Sequence, residues 1–383
     1  MKYRTFKEDR ISALAMGNMR LPVIDGDDSR IDEQKTAEMF KKAFDSGINY
    51  FDTAWGYHNG NSETVVGSIL SAYPRKSYYL ATKFPGYDLG NMGHAEEIFE
   101  KQLGKLKADY FDYYLFHNVC EMNIDAYLDD KKYGTYSYLM EQKKIGRIRH
   151  LGFSAHGDVK TIERFLEAYG KDMEFCQLQL NWLDWKFQHA DEKVALLKKW
   201  NIPVWVMEPV RGGKLVNLPE NYKAELQAMH PDWSIASWSF RYLLGIPEVT
   251  TVLSGMTSME QLEDNIATFD CGEALGEEEK ALLYRIADDM TSVGSVPCTA
   301  CRYCTSHCPM ELDIPKLIAL YNEHKFTKTF AFIAPMAVGA LPDDKKPSAC
   351  IGCRSCESVC PQQIPIPDIL EEFSNMLGLG GNQ

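Results

Sequence analysis

The chain lacks both an apolar run long enough to cross a membrane and an excess of positive charge, and its first residues are not apolar. Its longest apolar stretch, residues 329–341, is shorter than the roughly 20 residues that a bilayer requires, and it contains Pro335. The net charge of −13 disfavours nucleic acid and anionic membranes as partners, because both are themselves negatively charged. The N-terminal residues are mostly charged or polar, so we predict no secretory signal and a cytoplasmic location.

The remaining composition is that of an ordinary globular protein, with 45% hydrophobic and 25% charged residues. A chain of 383 residues has room for one large domain and one small one. Its 11 cysteines are unevenly distributed, because eight of them lie between Cys298 and Cys360. In a cytoplasmic chain such clustering indicates metal ligands rather than disulfides. We therefore predict two domains, residues 1–285 and residues 286–383.

The clustered cysteines form two copies of one pattern, C-x2-C-x2-C-x3-C-P, which is the bacterial ferredoxin ligand run. Three closely spaced thiolates bind one cubane, and the fourth cysteine ligates the other cluster. The pattern predicts two [4Fe–4S] clusters with crossed ligand sets, namely Cys298, Cys301, Cys304 and Cys360 for one and Cys350, Cys353, Cys356 and Cys308 for the other. A pair of zinc sites is the alternative, although zinc normally takes only two ligands from each C-x2-C knuckle.

The cysteine segment resembles the dicluster ferredoxin module, but its two runs begin 52 residues apart, farther than in a compact bacterial ferredoxin. Residues 314–325 and 366–377 have helical periodicity, and each stretch has a proline at its second position. This pattern favours a small, mainly helical ferredoxin-like domain over the β-hairpin version.

The first 290 residues alternate short apolar, β-branched runs with longer amphipathic stretches. Eight such strand–helix units favour an α/β fold of the (β/α)8 TIM barrel type over an open sheet. The predicted strands are residues 11–16, 50–52, 78–83, 111–117, 150–154, 176–179, 204–207 and 249–253.

Polar side chains stand at the ends of three consecutive predicted strands. Asp52, Lys83 and His117 close these strands, and Tyr57 lies in the loop after the first of them. Each residue alone has a structural explanation, such as a helix cap or a surface charge. Because barrel enzymes carry their chemistry at the C-terminal ends of the strands, the joint placement predicts an active site.

The sequence F-D-T-A-W-G-Y at 51–57 resembles the aldo–keto reductase signature, and blocks at 143–154 and 253–265 fit the same family in the same order. The resemblance covers residues 1–285. It implies a TIM barrel that binds a nicotinamide without a Rossmann fold and reversibly reduces an aldehyde or ketone to an alcohol. It also implies that Tyr57 is the general acid/base, that the Lys83 ammonium lowers the pKa of Tyr57, that Asp52 holds Lys83, and that His117 orients the carbonyl oxygen.

The resemblance also implies cofactor contacts, and here the chain departs from the family. Met207 stands where the family has a ring-stacking tyrosine, and Gly255 and Gln261 stand where it often has lysine and arginine against the 2′-phosphate. Arg211 could supply the missing charge. The other implied contacts are Ser154 and Gln177 with the nicotinamide carboxamide, the loop of Ser254, Gly255 and Met256 with phosphate, and Asn265 with adenine. The resemblance therefore implies NADP(H) or NAD(H) as the cofactor, and the departures leave a weakened or lost nucleotide site as the alternative.

A nicotinamide transfers two electrons as hydride, whereas a cluster transfers one, and a flavin commonly mediates between them. The chain has no flavin fingerprint, but barrels also bind flavin without one. Three interpretations remain open. The barrel reduces a small carbonyl while the clusters are structural or regulatory; the clusters exchange electrons with a ferredoxin or flavoprotein; or the barrel only docks partners. Trp55, His58, Trp182 and Trp185 follow strand ends and are candidates to line the substrate pocket.

Overall fold

The computed structural model describes residues 1–292, 294–327 and 331–379, so part of the apolar stretch 329–341 lies outside the described residues. The chain divides into two units: Met1–Val119 with Asn123–Tyr284, and Cys120–Met122 with the residues from Arg285 onward. Among the described residues, every helix is too short or too polar to cross a bilayer.

The first unit is built on a closed parallel barrel. The described strands are β1 (Tyr3–Phe6), β2 (Asp9–Ser12), β3 (Leu14–Gly17), β4 (Tyr50–Asp52), β5 (Tyr79–Pro85), β6 (Phe111–Val119), β7 (Ile148–Ala155), β8 (Cys176–Gln179), β9 (Val204–Met207) and β10 (Val249–Ser254). The barrel order is β10-β3-β4-β5-β6-β7-β8-β9, and β1 and β2 form a separate antiparallel hairpin. The predicted α/β class and TIM barrel are confirmed.

Helices alternate with the barrel strands and continue into the second unit. They are α1 (Glu33–Asp45), α2 (Ser62–Leu70), α3 (Ala95–Leu106), α4 (Ile124–Leu128), α5 (Asp130–Tyr133), α6 (Thr135–Lys144), α7 (Val159–Tyr169), α8 (Asp184–Phe187), α9 (Ala190–Lys199), α10 (Glu220–Met229), α11 (Ile235–Leu244), α12 (Met259–Cys271), α13 (Glu277–Ser292), α14 (Ile314–Thr327), α15 (Ile333–Gly339) and α16 (Ile366–Met376). Side-chain caps begin several of them; Asp32 accepts from the Lys35 N–H, and Asp158 accepts from the Thr161 N–H.

The prediction of one strand at residues 11–16 was wrong in detail. The chain forms β2 of the hairpin, bends at Ala13, and then forms β3 of the barrel. The hairpin residues Phe6 and Ile11 are buried in one cluster with Tyr113 and Trp205 of the barrel interior. Because the hairpin strand also buries its apolar side chains, residues 11–16 look like one continuous apolar run although they belong to two different sheets.

The second unit contains an internal repeat with an offset of 52 residues. Backbone positions with positive φ recur at that offset in the pairs Ala300 and Gly352, Arg302 and Arg354, and Glu311 and Gln363. The following helices repeat it as well, because α14 begins at Ile314 and α16 at Ile366. The duplication therefore includes the loops and helix starts in addition to the cysteines.

Both copies contribute equivalent side chains to one core. The matched buried pairs are Leu312 and Ile364, Ile314 and Ile366, Leu317 and Ile369, Ile318 and Leu370, and Tyr321 and Phe373. Since the cores of the two copies are merged, neither copy buries its apolar face alone. The mainly helical ferredoxin-type unit expected from the sequence is confirmed.

Candidate functional site

Strand pairing places the predicted tetrad at one end of the barrel. Asp52 pairs with Ala81 across β4 and β5, and Pro85 pairs with His117 across β5 and β6. The Lys83 Nζ donates to Asp52 Oδ1 at 2.6 Å and to the Thr53 carbonyl at 2.7 Å. Both charged side chains are almost completely buried. The ion pair therefore lies under the barrel mouth, away from bulk solvent.

Tyr57 and His117 lie beside this ion pair. Tyr57 begins a 3₁₀ turn after β4, and the Lys83 Nζ lies 5.0 Å from its ring centre. The rings of Tyr57 and His117 meet edge to face, with centroids 6.1 Å apart. The structure thus brings all four predicted residues together.

Burial dominates the electrostatics of the ion pair. It raises the pKa of Asp52 and lowers the pKa of Lys83, while the contact between the two residues opposes both shifts. A second network fixes the strand behind Lys83. Glu63 accepts from Thr82 and Gln102, each at 2.7 Å, and Gln102 also donates to the Lys83 carbonyl at 3.0 Å. This network was not recognised from the sequence, since Glu63 looks like an ordinary helix residue.

The pKa of Tyr57 differs from the sequence-based expectation. Burial raises it well above 10, and the carboxylates of Asp52 and Glu208 add to the rise. The expected lowering by Lys83 is not seen, because burial and these two carboxylates set the direction of the shift in the Tyr57 pKa. The pKa of His117 falls well below 6.5, through burial first and then Lys83. Tyr57 is therefore a protonated donor and His117 a neutral imidazole.

Ser154 and Gln177 form a matched pair across β7 and β8. Both are buried, and the Ser154 Oγ and Gln177 Oε1 have no hydrogen-bond partner among the described residues. The Gln177 Nε2 lies 3.8 Å from the Met207 Sδ. Unsatisfied buried polar atoms are costly, and a nicotinamide carboxamide offers both a donor and an acceptor to satisfy them. These residues fit the cofactor that the sequence implies.

The loop after β10 contains the remaining predicted contacts. Asn265 is buried and donates to the Ser254 Oγ at 3.0 Å. Gln261 accepts from the Thr257 N–H at 2.9 Å and so closes the loop on itself. The Met256 side chain is buried in the core, whereas Gly255 is exposed. Of these two residues, only Gly255 is therefore open to a ligand.

Three residues considered in the sequence have structural roles. Arg211 is buried in an ion pair with Asp184, with its Nε 3.0 Å from Oδ1, so its charge is already compensated. His58 accepts from the Leu21 N–H at 3.0 Å, and Trp182 donates to the Ser239 Oγ at 2.9 Å. Both side chains are buried in these contacts, which disfavours a role in lining the substrate pocket.

The eight clustered cysteines line two separate pockets of the second unit, and none of the eight forms a disulfide. Each pocket takes three cysteines from one copy of the repeat and one from the other. The lining sets are Cys298, Cys301, Cys304 and Cys360 for the first pocket and Cys350, Cys353, Cys356 and Cys308 for the second. These are the crossed sets that the spacing predicts.

The sulfur positions also bear on the zinc alternative. Tetrahedral zinc would hold its thiolates about 3.8 Å apart, since each Zn–S bond is about 2.3 Å. Within the described residues, no three cysteine sulfurs lie within 4.8 Å of one another. This spacing gives no support to a single tetrahedral zinc ion in either pocket.

A barrel with polar side chains at its strand ends, joined to a unit with two cysteine-lined pockets, defines an oxidoreductase with an iron–sulfur extension. The chain belongs to the aldo/keto reductase family, whose model matches residues 13–286. Residues 297–364 match the model of a 4Fe-4S dicluster domain. The family acts on small carbonyl compounds and typically depends on NAD(P)H.

Known proteins resemble the barrel part of the chain. An uncharacterized oxidoreductase, YqkF of Bacillus subtilis, is 28% identical over 290 residues, which cover 68% of this chain and 90% of that protein. The NADH-specific methylglyoxal reductase of Escherichia coli is 25% identical over 324 residues, or 73% of this chain and 95% of that protein. The holo form of the aldo-keto reductase AKR11C1 from Bacillus halodurans superposes with a TM-score of 0.61 and 25% identity, covering 75% of this chain and 96% of that one.

Proposed function

We propose that the protein reversibly reduces an aldehyde or ketone to an alcohol with a nicotinamide cofactor, and that Tyr57 is the general acid/base. The observation that carries this proposal is the buried Asp52–Lys83 ion pair next to Tyr57, with His117 against the same ring. Carbonyl reduction needs a proton donor because negative charge develops on the oxygen. The four residues are arranged to supply and control that proton.

A nicotinamide held by these residues would supply the hydride for the carbonyl carbon. The Tyr57 hydroxyl gives its proton to the carbonyl oxygen, and burial keeps this hydroxyl protonated until then. Neutral His117 donates a hydrogen bond that orients the oxygen. When the proton leaves Tyr57, the nearby Lys83 ammonium stabilises the tyrosinate, and Asp52 keeps Lys83 charged.

The cofactor would be held by residues on three strands and the loop after β10. Ser154 and Gln177 would bind the carboxamide, and Met207 would cover the nicotinamide ring without an aromatic stack. The backbone and hydroxyl groups at residues 254–258 would bind phosphate, and Asn265 would lie toward adenine. Both NADP(H) and NAD(H) remain candidates, and the E. coli relative is named as NADH-specific.

Tyr57→Phe tests the catalytic assignment. We expect the turnover of a small aldehyde to fall by at least about 100-fold, because a positioned general acid contributes that much or more. Tyr87→Phe is the matched control, since the Tyr87 ring also lies edge to face against His117, at 5.2 Å. Its loss should be far smaller. Turnover that survives Tyr57→Phe, or an equal loss in both variants, would show that the assignment is wrong.

We further propose that the second unit binds two [4Fe–4S] clusters, each held by one of the two crossed cysteine sets. The clusters would supply one-electron transfer. Anaerobically purified protein should contain about eight irons and eight inorganic sulfides per chain if both sets are filled. Zinc in place of iron would rule this proposal out.

Electron transfer to a ferredoxin or flavoprotein is a second candidate function. Cys301 and Cys353, one from each pocket, are solvent-exposed, so both clusters would be accessible to a partner at these points. Loss of the visible cluster absorption on anaerobic addition of NADPH or NADH would support coupling between nicotinamide and clusters. Nucleotide binding with unchanged absorption would instead support a structural or regulatory role. A flavin that mediates this coupling stays a prediction.

A further inference from the structure

Arg20 lies in the loop after β3, and its side chain spans two other strand-end loops. Its aliphatic part passes over Gly255, where an added Cβ would lie 3.2 Å from the Arg20 Cβ. Its guanidinium reaches Gly212, where an added Cβ would lie 3.1 Å from Nη2. Arg20 thus bridges the loops that follow β9 and β10, and a side chain at either glycine would push it away.

The Arg20 guanidinium has the carboxylate of Glu208 nearby. Within the described part of the chain, the guanidinium makes no hydrogen bond or ion pair, and Arg20 is partly exposed. The Arg20 Nη2 and the Glu208 Oε2 both lie close to the position that a Cβ on Gly212 would take, at 3.1 Å and 3.7 Å from it. Burial raises the pKa of Glu208, and the charge of Arg20 opposes that rise. Arg20 therefore keeps its donors available at the barrel mouth.

Arg20 places a positive charge beside residues 254–258, the proposed phosphate-binding loop. Residues 254–258 offer backbone N–H groups and hydroxyls but no positive charge, and Arg211 is already paired with Asp184. A guanidinium offers several donors in a planar fork that matches phosphate oxygens. Arg20 supplies that fork next to this loop, over the exposed backbone of Gly255.

We propose that Arg20 binds a phosphate of the dinucleotide cofactor and that Glu208 is its counter-charge when no nucleotide is present. This inference rests on the proposed nicotinamide-dependent function. It assigns the positive charge that residues 254–258 lack to Arg20, in the loop after β3. The sequence pattern did not indicate this position. Glu208 also opposes nucleotide binding, because its carboxylate competes with phosphate for the same guanidinium.

The test measures dissociation constants for NADPH and NADH with the full-length protein, from quenching of its tryptophan fluorescence. Arg20→Gln should raise the dissociation constant by about tenfold or more, since a hydrogen bond to a charged group is lost. Arg20→Lys should recover part of the affinity, and Glu208→Gln should bind more tightly than the wild type. Arg30→Gln is the control, because Arg30 is an exposed arginine nearby in the chain that is paired with Asp25 at 3.3 Å.

The outcomes separate the two proposals. An equal loss for NADPH and NADH in Arg20→Gln identifies the pyrophosphate as the group bound, and a loss for NADPH alone identifies the 2′-phosphate. Wild-type affinity in Arg20→Gln, or the same loss in Arg30→Gln, overturns the role of Arg20 and leaves the proposed function standing. A wild-type protein that binds neither nucleotide overturns both. Unchanged circular dichroism and iron content would establish that each variant is folded.

Discussion

Replacing Asp52 by asparagine would leave the Lys83 ammonium buried without its anionic partner. Both side chains are almost fully buried, and their charged atoms are 2.6 Å apart. Removing one partner of a buried ion pair costs about 3–5 kcal/mol, because the remaining charge stays uncompensated in a poorly polarisable environment. We therefore expect Asp52→Asn to lower the free energy of unfolding of the barrel unit by about that amount.

The double variant Asp52→Asn with Lys83→Met isolates the cause. It removes both charges, and replacing a buried ion pair by neutral groups is often neutral or even stabilising. The double variant should therefore be more stable than Asp52→Asn alone. The pKa shifts point the same way, since burial disfavours the charged form of both residues.

Tryptophan fluorescence during anaerobic urea unfolding provides the assay. All seven tryptophans lie between Trp55 and Trp238, so the signal reports the barrel unit. A loss below about 1 kcal/mol in Asp52→Asn, the range of exposed pairs, would refute the reasoning. So would a double variant that is less stable than the single one.

Two further predictions concern the crossed cysteines and His150, near the N-terminal end of β7. Replacing Cys298 and Cys360 together by serine should remove only one cluster and leave about four irons per chain. Replacing Cys298 and Cys308 together should remove both clusters. Iron analysis showing the reverse would mean that each run of cysteines binds its own cluster. Burial alone would lower the pKa of His150, but its contacts with two carboxylates, at 3.2 and 2.5 Å, raise it. Because the folded pKa is raised, this stabilisation is complete below about pH 6.5 and is lost as the pH rises through the folded value. His150→Gln should therefore cost most stability in acid, and a penalty in urea unfolding that grew with pH would contradict this.

The sequence predicted those parts of the fold that depend on regular periodicity and local signals. The strands at 50–52, 176–179 and 204–207 occur at the predicted positions, because each is a short apolar run with clear flanking signals. The bend at Ala13 was missed, since the hairpin and the barrel strand are both apolar and only tertiary packing separates them. The boundaries 1–285 and 286–383 stay a prediction.

The candidate site was predictable in its residues but less so in its electrostatics. Spacing and resemblance indicated Tyr57 and Lys83, but the pKa of Tyr57 depends on its burial and on neighbours from other strands. Arg211 was considered for phosphate binding, yet it forms a buried pair with Asp184, which is distant in sequence. Arg20 was missed for the same reason, because only the closed barrel brings its loop next to the phosphate loop.

The interlocked pockets place a constraint on assembly. A nascent chain that has emerged only as far as Cys308 holds three sulfurs of one pocket and one of the other, so neither pocket is complete. Each pocket has all four of its cysteines only when the second copy, which ends at Cys360, has folded back onto the first. If the two pockets hold the proposed clusters, delivery of iron and sulfide would have to wait for that closure, and loss of either copy would remove ligands from both centres at once.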